Sequence, residues 1–241
     1  MLDINDQSHD HAHAVLRPSA EPSQGGGFLF LGNDRCLDFL NTRIARHDRL
    51  VELLDSFDDL LRWLAAAGVL APERAAELAA KWQATPAADA ALRAARALRA
   101  DLLALVDHLI AGEDPPPATV AALNTVLRER SSYEQLVARD VPAAAAEGAG
   151  TGGPRWRRER SYVPHAPRDV LAPLTEAAVT LLCEREPARI KRCANPTCVL
   201  RFYDTSKNGA RSWCDTRTCG NRVRAARFYR RQRAAAPGRS V

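Results

Sequence analysis

Four cysteines crowd into 27 positions: Cys193 and Cys198 flank Ala-Asn-Pro-Thr, Cys214 and Cys219 flank Asp-Thr-Arg-Thr, and 15 residues separate the two pairs. Zinc takes four soft ligands in a tetrahedron, and thiolates at this spacing can curl around one ion while the intervening chain makes a hairpin. Four protein ligands leave no open coordination position, so one Zn2+ held here is structural and not catalytic. The alternatives are buried or redox-active thiols, against which the matched pairs beside turn residues argue. An iron–sulfur cluster also takes four thiolates, but the spacing lacks the ferredoxin patterns. Cys36 and Cys183 stand alone in apolar surroundings and read as small core residues.

The residues around the ligands supply the elements such a site needs. Val199–Tyr203 and Ala210–Trp213 have strand character, and Lys207-Asn208-Gly209 between them contains an Asn-Gly turn signal. A knuckle, a β-hairpin and a helix follow, in a treble-clef-like order. Cys219 falls at the start of the helix, where the positive end of the helix dipole favours a thiolate.

The helix after Cys219 is rich in arginine. With Arg222 set at zero and 100° per residue, Arg233, Arg230, Arg227, Arg231 and Arg224 fall at about 20, 80, 140, 180 and 200°. The remaining arc, about 240 to 340°, carries Phe228, Gln232, Ala225 and Tyr229, which reads as the side docked on the finger or body. A charge run is usually a solvated face. Here no acidic residue occurs from Thr216 to Val241, and arginine, whose planar fork suits phosphates and guanine edges, replaces lysine throughout. Arg222, Arg224, Arg227, Arg230, Arg231 and Arg233 are therefore the candidate nucleic-acid contacts, with Arg222 nearest the metal and placed to brace the fold.

Charge is distributed accordingly. Residues 185–241 hold 15 Lys+Arg against 3 Asp+Glu, which leaves 19 basic and 26 acidic groups in residues 1–184. An acidic body thus carries a basic tail, an asymmetry that points to a polyanionic partner. No run reaches the roughly 20 apolar residues of a membrane span, and no signal-peptide core opens the chain, so a soluble cytoplasmic protein with no membrane partner is expected.

The body reads as mainly α with a small β element. Phe28–Gly32 and Leu37–Thr42 have the look of short strands around a turn at Asn33-Asp34. Ser56 with Asp59 marks an N-cap, and Gly68 a stop. Pro72 starts a helix reaching about Thr85, and a longer one runs through Leu92 to Leu109 and ends at Gly112 and Pro115–Pro117. A further helix spans Ala118–Arg130. Tyr133–Val141 and Arg155–Val163 can pair as strands around an Ala/Gly-rich loop at Ala143–Pro154, and Pro167–Glu186 resumes helical spacing with Pro173 in its first turn or at a kink. Residues 1–27 and 234–241 read as flexible tails, the first with alternating His9, His11 and His13. This gives a helical domain over 28–186 and a finger over 187–233, with the helical domain expected to fold without the finger.

Cys193-x4-Cys198, Phe202-x-Asp204 and Cys214-x4-Cys219-Gly220-Asn221-Arg222 together resemble the CGNR zinc-finger family. Upstream, Leu37-Asp38-Phe39-Leu40-Asn41-Thr42 and Asp58-Asp59-Leu60-Leu61-Arg62-Trp63-Leu64 with Gly68 resemble the ABATE domain that commonly precedes this finger. The resemblance implies a bacterial, stress-induced transcription regulator, with the four cysteines as zinc ligands and a finger that binds DNA. The upstream domain would then sense a small-molecule effector or mediate assembly, with Asp38, Asn41, Thr42, Arg43 and Trp63 as pocket candidates. For each of these a structural role is the competing reading: Asp and Asn after a strand cap turns, and Trp fills cores.

The expected partner is nucleic acid, DNA ahead of RNA. An RNA- or ribosome-binding accessory protein is the second reading, because phosphate attraction does not separate the polymers. An enzyme with a docking finger is the third. The sequence offers no phosphate-cradling loop or catalytic cysteine signature, and His47, His108 and His165 are scattered, so no catalytic residue is assigned.

Overall fold

The computed structural model describes residues 27–46, 49–129, 132–138 and 156–235. Residues 1–26 with His9, His11 and His13, the position of His47, the Ala143–Pro154 insert and residues 236–241 lie outside the described residues. The element order is α1 (Arg35–Leu40), β1 (Arg43–Arg46), β2 (Arg49–Glu52), α2 (Phe57–Ala66), α3 (Pro72–Trp82), α4 (Pro86–Ala111), α5 (Pro117–Glu129), β3 (Ser132–Ala138), β4 (Trp156–Tyr162), α6 (Ala172–Glu184), β5 (Ile190–Arg192), β6 (Arg201–Tyr203) and α7 (Asn221–Ala235). The class is mainly α with three small antiparallel hairpins, β1–β2, β3–β4 and β5–β6. Among the described residues no helix is long and apolar enough to cross a membrane.

Local chemistry sets the helix ends. The Ser56 hydroxyl accepts from the Asp59 amide at 3.1 Å, and the Asp59 carboxylate accepts from the Ser56 amide at 2.7 Å, a closed capping box at the start of α2. Pro72 and Pro86 open α3 and α4, and Gly112, at φ +77°, ends α4 in the left-handed conformation that glycine adopts without Cβ strain. Leu37, Phe39, Leu60, Leu61, Trp63 and Leu102 form the centre of the body's core, all fully buried. Pro173 lies in the first turn of α6, after a short 3-10 turn over Pro167–Leu171.

Three strand expectations are corrected. Leu37–Leu40 is helical: the Asp34 carboxylate caps α1 by accepting from the Cys36 amide at 2.9 Å, and Cys36, Leu37, Phe39 and Leu40 are buried at helical spacing. A short apolar run does not separate strand from helix by periodicity, and the cap decides. Phe28–Gly32 joins no strand ladder, although the Gly32 carbonyl accepts from the Tyr203 amide at 2.7 Å. In the finger, β6 pairs with β5 (Lys191 opposite Phe202) and not with Ala210–Trp213. The first cysteine pair is therefore the loop of the β5–β6 hairpin, and Ala210–Trp213 runs beside it as irregular chain, with Ser212 O accepting from the Ala194 amide at 2.8 Å. The pairing of Tyr133–Val141 with Arg155–Val163 is observed over Ser132–Ala138 and Trp156–Tyr162.

Finger and body share packing across the sequence boundary near Glu186. Ile190 and Tyr203 pack into the body's core, while Ile44, Leu29, Leu31, Val51 and Leu53 of the body pack with Phe202, Leu200 and the cysteines. The fully buried Asn41 amide clasps one finger residue at both ends, donating to Arg201 O at 2.9 Å and accepting from Arg201 N at 3.0 Å. Arg201 also forks onto Asp107 of α4 at 2.9 and 2.8 Å. Independent folding of residues 28–186 thus meets a physical obstacle: removal of the finger leaves the Asn41 amide unpaired and uncovers Ile44.

Candidate metal centre and nucleic-acid interface

The hairpin loop brings Cys193 and Cys198 against the segment carrying Cys214, and a wide turn over Thr216–Gly220 places Cys219 beneath the first residue of α7. The Asp215 carboxylate caps that turn by accepting from the Arg217 amide at 2.9 Å. The four Sγ atoms lie within 4.8 Å of one another, with Cys198–Cys214 at 3.8 Å and Cys214–Cys219 at 3.6 Å. A tetrahedron of sulfurs about 2.3 Å from a zinc ion has edges of about 3.8 Å, so the cluster already has the dimensions of its ion.

The surroundings suit thiolates as well. The Asn195 side-chain amide, buried between the first two ligands, donates to Cys219 Sγ at 3.3 Å, and the Cys214 amide donates to Cys193 Sγ at 3.4 Å. Donors of this kind orient a ligand sulfur and offset its charge. Ile44, Leu200 and Phe202 pack around the group, in which Cys193, Cys214 and Cys219 are buried and Cys198 half-buried, and four sulfurs leave no open position, as in a structural site. The four clustered cysteines fit one structural zinc.

A second buried polar group holds the loop between the ligand pairs. Burial pushes the pKa of the fully buried Asp204 carboxyl up, but hydrogen bonds from Lys191 (2.7 Å), Ser206 (2.6 and 2.9 Å) and the Arg211 amide (2.9 Å) outweigh it and hold the pKa well below the ordinary carboxylate range. Arg211 stacks over the Phe202 ring at 4.2 Å and donates to Trp213 O at 2.9 Å, to Leu31 O at 3.1 Å and to Cys214 O. The side chains of these basic residues are engaged within the fold.

The arginines of α7 are placed differently. Arg222, Arg224, Arg227, Arg230 and Arg231 are exposed, and among the described residues none pairs with a carboxylate. Arg224 is the brace that Arg222 was expected to be: its guanidinium lies over the Trp213 ring at 5.3 Å and donates to Asn221 at 2.9 Å. Arg233 lies within the helix by its backbone. The expected docking of Phe228, Gln232, Ala225 and Tyr229 on the protein is not observed, since all four are exposed, Phe228 at 52% and Tyr229 at 64%.

The five pocket candidates do not gather around a cavity. Asp38 accepts from the Gly32 amide at 2.7 Å, Asn41 clasps Arg201, and Thr42 accepts from Arg99 at 2.7 Å. Trp63 is fully buried between Phe30 and Phe39, and Arg43 is exposed on β1. A cleft of about 490 Å³ between α2 and α3 is lined by other residues, among them Phe28, Asp58, Leu61 and Arg62. The sequence reading missed Asn195, Asp107 and Trp213. Asn195 carried a signal, an Asn-Pro turn inside a ligand pair; Asp107 lies 94 positions from Arg201 and carried none.

A zinc-ligand hairpin, a wide turn delivering the fourth cysteine and a basic helix beyond it define a zinc-finger protein with a helical body. Residues 33–185 match the ABATE model, described as "Putative stress-induced transcription regulator", and residues 189–232 match the CGNR zinc finger. The chain belongs to the ABATE family and carries a CGNR finger. Neither is an enzyme family. No curated protein matches the chain.

Proposed function

We propose that this protein is a DNA-binding transcription regulator in which the zinc finger fixes α7 to the body and α7 carries the contacts to duplex DNA. The observation that carries this reading is the contrast in α7: at least five exposed arginines on one 15-residue helix, no acidic residue from Thr216 to the end of the sequence, and one end anchored by the metal module. Guanidinium groups without acidic partners among the described residues, rigidly displayed, suit a polyanion. The family description of a transcription regulator makes DNA the favoured polyanion.

The test is a salt titration of duplex binding by the wild type and by a variant with Arg222, Arg227, Arg230 and Arg231 changed to Gln. Each neutralised phosphate contributes about 0.9 to the log–log salt slope. The variant is expected to bind far more weakly and with a slope flatter by about 2 or more, at unchanged zinc content. Unchanged affinity and slope would mean that the arginines are only a solvated face. Competition by structured RNA at matched salt separates the two polymers, and preference for the RNA would replace the DNA assignment.

A further inference from the structure

We infer that the base-contacting surface of α7 is the face formed by Ala225, Phe228, Tyr229 and Gln232, laid toward the floor of the DNA major groove with arginines on its two edges against the phosphate walls. This rests on the duplex-DNA reading above and turns the helix over relative to its charge: the apolar arc enters the groove, and the centre of the arginine arc faces away.

Three observations lead there. First, the apolar arc has no cover among the described residues. Among the described residues the Phe228 and Tyr229 rings make a ring contact only with one another, edge-to-face with centroids 5.8 Å apart; both are more than half exposed, and Ala225 and Gln232 on the same arc are exposed too. The anchorage of α7 is at its start instead, where Gly220 and Arg224 meet Trp213.

Second, the charge around the arc selects its occupant. A second copy of α7 would bring an equal set of arginines against the first, and like charges oppose that pairing. Duplex DNA supplies both surfaces at once, anionic walls and a floor of base edges. Its major groove, about 12 Å wide, admits an α-helix. A 15-residue helix is about 22 Å long, enough to follow the groove over several base pairs.

Third, the side chains suit the floor. Gln pairs with the N6 and N7 edge of adenine, and Ala and aromatic rings contact the thymine methyl group. With the arc centred near about 290°, Arg222 at about 0° and Arg231 at about 180° stand at its edges, whereas Arg227 at about 140° lies behind. The assigned target is a major groove containing A·T pairs.

The experiment is selection from a random duplex DNA library with the full-length wild type and with the Phe228→Ala, Tyr229→Ala, Gln232→Ala triple variant, followed by salt titrations of Arg227→Gln and Arg231→Gln. All five side chains are exposed, so zinc content and the far-ultraviolet spectrum are expected to stay at wild-type values. The wild type is expected to enrich A·T-containing sites and to lose on the order of tenfold or more when thymine is replaced by deoxyuridine at the selected positions. The triple variant is expected to enrich no site while keeping the wild-type salt slope, and Arg231→Gln to flatten that slope more than Arg227→Gln. A triple variant that selects the same site, or a larger effect at Arg227, overturns the inference. So does a wild type that binds duplex without preference, although the proposed function then stands. A triple variant that converts a dimer to a monomer in sedimentation assigns the face to a second copy. A wild type with no affinity for duplex DNA overturns the proposed function itself.

Discussion

On the side of the finger that faces the helical body, Arg201 forks onto Asp107 and Arg211 is stacked on Phe202 among backbone carbonyls. On α7, Arg222, Arg227, Arg230 and Arg231 are exposed without an acidic partner among the described residues. Both sets contribute to the same basic tail in the sequence. The difference lies in what the fold places beside them: a buried guanidinium needs its acceptors inside the protein, whereas an exposed one on an acid-free helix is available to an external anion. Net charge therefore overstates the surface that can meet a polyanion, and the near-side arginines should govern stability while the far-side ones govern binding.

The largest effect that can break this comparison is removal of the metal. Structural zinc contributes on the order of 10 kcal/mol or more to folding in small modules. Cys193→Ser, or a strong chelator, is expected to unfold the finger. Because Ile44, Leu29 and Leu31 pack with the ligand cluster, the body should lose stability with it. Thermal unfolding followed in the near-ultraviolet checks this; a body transition unmoved by chelation would mean that the shared packing carries little free energy.

Next in size is the clasp between body and finger. Arg201 is 5% exposed at its side chain and Asp107 45%, so Arg201→Met, which breaks the ion pair, costs less than for two buried charges, about 2 kcal/mol, and Asn41→Ala, which leaves the Arg201 backbone groups without their partner, costs about the same. Denaturant midpoints should fall for both while affinity for duplex DNA, measured where the proteins are folded, stays at the wild-type level. A binding loss as large as that of the α7 variants would erase the distinction between the two arginine sets.

A third effect is a pH dependence inside the body. Burial pushes the Asp38 carboxyl up to about 7, against the opposing hydrogen bond from Gly32. The folded state then holds this proton more tightly than the unfolded chain, so the contribution to stability falls as pH rises from the ordinary carboxylate range through about 7. Asp38→Asn, whose carbonyl can still accept from Gly32, should match the wild type below about pH 4 and exceed it above pH 7. Unfolding curves at the two pH values decide it, and parallel behaviour of the two proteins would remove Asp38 from the pH dependence.

Much of this was legible in the residues. The ligand set, the capping box at Ser56 and the proline and glycine ends of α3 and α4 are local signals, and each appears where its chemistry puts it. One misreading is local, the helix over Leu37–Leu40 that the Asp34 cap decides, and the others concern partners distant in the chain. Strand character in Arg201–Tyr203 was visible, but not that Ile190–Arg192 would pair with it, because a three-residue strand has too little pattern to announce itself. Likewise Asp38 and Asn41 read as pocket candidates or as caps; that they hold Gly32 and Arg201 depends on contacts up to 160 positions away. The exposure of Phe228 and Tyr229 runs against their helical-wheel reading, since an apolar arc states a need for cover without stating what supplies it.

The claim that α7 is the surface presented to DNA is tested most directly by amide hydrogen exchange of the full chain with and without duplex DNA. Added protection is expected along Asn221–Ala235 and on the turn that carries it, with the exposed β3–β4 hairpin and the α2–α3 cleft unchanged. Protection confined to the hairpin or the cleft, with α7 exchanging as in the free protein, would contradict the account.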